Sequence, residues 1–81
     1  MDTSHIADRL ERRFQLGSRP TLRRALYQRL QALVDEKGER AYLVIATVAD
    51  DATGKDDPGK YFAWVVIRRL QERGILSAPE L

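Results

Sequence analysis

The sequence predicts an all-α fold: a small domain of three to four helices with a short extended C-terminal tail. Three observations predict it. Leucines recur at 22, 26, 30 and 33, which lays one apolar stripe along a helix over 19–37. Asp57, Pro58 and Gly74 bracket a second long segment with the signals that start and stop a helix. Apolar residues make up 43% of the chain, with few Gly and Pro, which excludes a disordered segment.

At 81 residues the chain has room for a single domain, 1–81, with an N-terminal helix at 4–15 and a helical core at 19–76. A domain this short buries roughly 60% of its unfolded surface, enough to fold alone with little margin. Cysteine is absent, so disulfides and thiolate metal sites are excluded. Neither a basic, apolar leader nor a run of about 20 apolar residues is present, so the expectation is a cytoplasmic chain with no membrane partner.

In 4–15, Ile6, Leu10 and Phe14 form a narrow stripe with Ala7 alongside, suited to a helix laid across a core. Thr3 or Ser4 is expected to cap it and Gly17 to end it. His5, the lone histidine, is accounted for by solvation or capping, since nothing nearby completes a metal site or a base. In 19–37, Ala25, Tyr27 and Val34 widen the leucine stripe, while Arg24, Gln28, Gln31 and Asp35 fall opposite. Ser18 and Pro20 mark its start, Lys37 and Gly38 its end. Leu33→Asp is expected to unfold the domain by placing an unpaired charge in that face.

Residues 41–49 are apolar on all sides and rich in β-branched side chains, which by propensity suits a buried strand paired with 61–67. A buried helix over 40–52 satisfies every amide internally and is the favoured reading. The polar loop 50–57 matches neither an EF-hand, with Ala49 and Lys60 at the first and last ligand positions, nor a P-loop, with Asp56 after Lys55. Asp57 is expected to cap the helix at 58–73, with Pro58 in its first turn. On that helix Ala63, Val66, Ile67 and Leu70 share one face, with Phe62 at the margin. Tyr61, Trp64, Val65 and Arg68 share a second face. That second face is either buried inside the bundle or exposed to a partner. Gly74 ends the helix, and Ile75 and Leu76 turn back onto the core.

Chemistry is sparse. One histidine, no cysteine, and Ser4, Ser18 and Ser77 at helix ends or in the tail make no nucleophile–base pair, so no catalytic residue, metal or cofactor is expected. Asp50 and Asp51 lack an apolar pocket that would separate their pKa values. The charge is more informative. Net charge is +2, yet residues 1–34 carry seven Arg against three acids, and 35–60 carry seven acids against four bases. Eleven of the fourteen bases are Arg, the side chain that forks onto phosphate or carboxylate.

The run Val65-Val66-Ile67-Arg68-Arg69-Leu70-Gln71-Glu72-Arg73-Gly74-Ile75-Leu76, preceded by two further helices, resembles the body of a helix-turn-helix or winged-helix domain over residues 21–77. The resemblance implies binding of double-stranded DNA by the helix beginning at Pro58. Lys55, Lys60, Arg68 and Arg69 would be contacts, joined by phosphate contacts from Arg19, Arg23 and Arg24. The loop 50–57 departs from that pattern in its length and acidity. The alternative is a protein-interaction or self-association module, with another protein or a second copy of the chain as partner, using Tyr61, Trp64, Val65 and Arg68.

Overall fold

The computed structural model describes residues 3–17 and 19–77. Four helices follow in order: α1 (Ile6–Phe14), α2 (Pro20–Lys37), α3 (Glu39–Ala52) and α4 (Pro58–Glu72), with no strand among the described residues. The all-helical expectation is met, and the hairpin of 41–48 with 61–67 is not formed. α1 packs on α2, α2 on α3 and α3 on α4. No helix among the described residues is long and apolar enough to cross a membrane.

The helix boundaries follow local chemistry. Pro20 and Pro58 occupy first-turn positions where no amide donor is needed. Arg19 is the N-cap of α2 and makes no side-chain capping bond, while Ser18 lies outside the described residues. Asp57 caps α4 as expected, its Oδ1 accepting from the Lys60 amide at 3.3 Å. A single residue, Gly38, separates α2 from α3. Its φ of 74° and ψ of −147° suit glycine, and its amide donates back to the Val34 carbonyl at 2.7 Å. Beyond α4, Gly74 is left-handed, and the amides of Ile75 and Leu76 both return to the Leu70 carbonyl. Ile75 is thereby folded into the core through a bend.

The start of α1 differs from expectation. Neither Thr3 nor Ser4 is its N-cap. His5 holds that position at φ 60°, and Gln31 of α2 accepts from the amides of both Ile6 and Ala7. Gln31 also donates to the Thr3 carbonyl and to Asp35, both at 3.1 Å. A residue assigned to the polar side of α2 therefore satisfies the exposed donors of a neighbouring helix. α1 ends at Phe14, before Gly17, with Gln15 at φ 60° and the Tyr27 hydroxyl donating to the Gln15 carbonyl at 3.0 Å.

Tyr27, Leu30, Leu33 and Val34 of α2 meet Ala41, Ile45, Val48, Ala49 and Ala52 of α3 and Phe62, Val66 and Leu70 of α4 in one core. Phe62 stacks on Phe14 with ring centres 4.8 Å apart and tilts against Tyr27 at 6.4 Å. Three sequence expectations are corrected here. Phe62 is the centre of the buried face of α4, whereas Ala63 and Ile67 are half-buried. α3 is not buried all round, since Leu43 is 49% exposed. Leu22 leaves the stripe of α2 at 62% exposure, and Ala25 is exposed beside it.

Candidate nucleic-acid interface

Leu22 and Trp64 stand on two walls of one open groove. It runs between the first turns of α2 and the first turns of α4 and holds about 600 Å³. Leu26 and Ala63, both half-buried, complete its apolar lining. Arg19, Arg23, Lys60 and Asp57 supply the charges. Helical spacing explains the layout: Leu22 and Leu26 are one turn apart, as are Lys60 and Trp64, so each helix offers an adjacent pair to the same cleft. Trp64, 76% exposed, settles the question left open by the sequence. The indole side of α4 is not shielded by the rest of the domain.

The cations are held in different ways. Arg19 has no ion pair among the described residues. The Lys60 ammonium lies 6.0 Å from the indole centre, near the outer limit of cation–π attraction, so that contact holds it only weakly. Arg23 is half-buried. Its guanidinium lies where a side chain at Gly59 would be, only 2.9 Å from a Cβ placed there, and its charge acts on the Tyr27 hydroxyl. Burial pushes the Tyr27 hydroxyl above its ordinary pKa, with the nearby Arg23 guanidinium pulling the other way. Gly59 thus leaves space for the Arg23 guanidinium beside the start of α4. Asp57 is the one acid lining the groove, and its carboxylate is engaged at the N-cap.

The sequence-predicted contacts divide into those gathered here and those elsewhere. Arg19, Arg23, Lys60 and Trp64 come together, and exposed Arg68 follows one turn beyond Trp64 on the same side of α4. Arg24 turns toward α1 and pairs with Glu11 at 3.3 Å. Lys55 lies over the Tyr61 ring at 4.9 Å. Arg69 pairs with Glu72 at 3.5 Å and borders a separate shallow hollow with Leu43, Val44, Thr47 and Arg73. Tyr61 and Val65 are half-buried, so of the proposed interaction face only Trp64 and Arg68 are exposed. Sequence reasoning missed Leu22, Leu26, Ala63 and Asp57 as groove residues.

The acidic segment is less opposed to an anion than its composition implies. Asp50 and Asp51 belong to the last turn of α3, so the connection to α4 is only residues 53–57. Arg13 reaches from α1 to Asp50 at 3.1 Å and to the Thr53 hydroxyl at 2.7 Å. Among the described residues no three His, Asp or Glu side chains gather as a metal would require. Comparison with family models, curated proteins and solved structures returned no match to this chain.

Proposed function

We propose that this chain is a small non-enzymatic DNA-binding module of helix-turn-helix type, with α3, residues 53–57 and α4 forming the motif. The observation that supports it is the grouping of Arg19, Arg23 and Lys60 around an exposed Trp64, with Arg68 a turn beyond. Four cations on one face suit the evenly spaced charges of a phosphate backbone, and Arg carries most of them in its planar form.

The test is a titration with duplex and single-stranded oligonucleotides across a salt series. Binding at low salt is expected. The logarithm of affinity should fall with that of salt at a slope of about −3 to −4, as four phosphate contacts would give. No binding of either nucleic acid at low salt contradicts the proposal.

A second reading, self-association or protein binding on the same side of α4, is favoured by the pairing of two exposed apolar side chains, Leu22 and Trp64. It requires association that rises with protein concentration and is indifferent to salt, measurable by sedimentation.

A further inference from the structure

Resting on the phosphate contacts of the DNA-binding reading and replacing its helix-turn-helix docking on duplex, we propose that the groove between α2 and α4 receives an unpaired base, so that the chain selects single-stranded over duplex DNA. Three large apolar side chains are exposed among the described residues, and two of them, Leu22 and Trp64, line this groove. Apolar or aromatic walls of this kind take the flat faces of a base that has left its stack. In a duplex those faces are covered by neighbouring bases, and Trp64 would have nothing to stack on.

Arg19, Arg23 and Lys60 lie along the same opening and suit the phosphates on either side of such a base. The volume of about 600 Å³ lies within the range of small-ligand sites, about 300–1,000 Å³. An amphipathic peptide helix fits less well. It would need apolar anchors along two or more turns, whereas each wall here offers one exposed apolar side chain.

Trp64 is the single tryptophan, so its emission reports the groove directly. The experiment titrates the full chain at low salt with a twelve-nucleotide oligo-dT, a twelve-base-pair duplex and a twelve-nucleotide oligo-rU. Oligo-dT should quench Trp64 and bind at least tenfold more tightly than the duplex, with oligo-rU no tighter than oligo-dT. Trp64→Ala should lose roughly 5- to 150-fold on oligo-dT, the range for one base stack, and lose less on the duplex, where no base is free to stack. Trp64→Phe should recover most of the loss, and both variants should keep the wild-type melting temperature because the side chain is exposed.

Duplex binding as tight as oligo-dT, without a change in Trp64 emission, overturns this inference and leaves DNA binding standing. A tenfold preference for oligo-rU overturns the assignment to DNA. If no nucleic acid binds and an acidic amphipathic peptide does, both this inference and the DNA-binding reading fall.

Discussion

Phe62 and Trp64 are two residues apart on α4 and have opposite surroundings. Phe62 is fully buried, stacked on Phe14 and tilted against Tyr27, while Trp64 is 76% exposed at the groove. One helix therefore serves two ends. Its Phe62, Val66 and Leu70 side closes the core, and its Lys60, Trp64 and Arg68 side is left to solvent with more aromatic surface than folding requires. Under the proposed function, that exposed aromatic beside cations is the part of α4 a partner would meet.

The largest expected effect separates the two aromatics. Phe62→Ala should cost about 3–5 kcal/mol through lost burial and a cavity, a large share of the stability of so small a domain. Trp64→Ala should stay within about 0.5 kcal/mol, as surface changes do. Thermal or urea unfolding followed by circular dichroism gives both values. Equal losses would erase the distinction.

A second pair of substitutions probes the binding side. Arg68→Glu should weaken DNA binding by roughly tenfold or more, since it inverts a charge that has no ion pair among the described residues, one turn from Trp64. Arg69→Glu, removed from that face and paired with Glu72, should have a much smaller effect. Matching losses in an anisotropy titration would mean that DNA contacts a broader surface.

Asp57 belongs to both sides. Asp57→Ala should cost about 1 kcal/mol by removing the cap of α4. Asp57→Asn keeps a capping oxygen while deleting the one acid of the groove. It should leave the melting temperature nearly unchanged and tighten DNA binding a few-fold. Tyr27 sets the smallest effect. Its folded-state pKa is raised by burial, so the unfolded chain gives up this proton first. Its contribution is complete below about pH 10 and is lost as pH climbs through the higher folded value. In an alkaline unfolding series Tyr27→Phe should flatten that part of the pH dependence.

Much of the architecture was legible because its signals are local. Pro20, Gly38, Asp57 with Pro58, and Gly74 each act through φ, a missing donor or a capping oxygen, and each marks the boundary it was expected to mark. The apolar segment over 40–52 was harder, because β-branched content and helical self-sufficiency of the amides pull in opposite directions. The groove was illegible for another reason. A helical wheel sorts residues by angle and carries no information on where neighbouring helices stop along the axis. Leu22 shares the stripe of Leu30, yet it lies where no helix covers the start of α2, so one is 62% exposed and the other fully buried. The role of Gln31 at the start of α1 depends on a tertiary approach that no local pattern encodes. Phe62 was placed at the margin of its face because its partners, Phe14 and Tyr27, come from two other helices.

Acrylamide quenching of Trp64 emission, in the free protein and then with oligo-dT bound, tests the division of α4 most directly. The free chain should show red-shifted, water-like emission that acrylamide quenches efficiently, and bound DNA should shield it. Blue-shifted emission in the free, monomeric chain, resistant to the quencher, would place the indole inside the fold and contradict a surface left open for a partner.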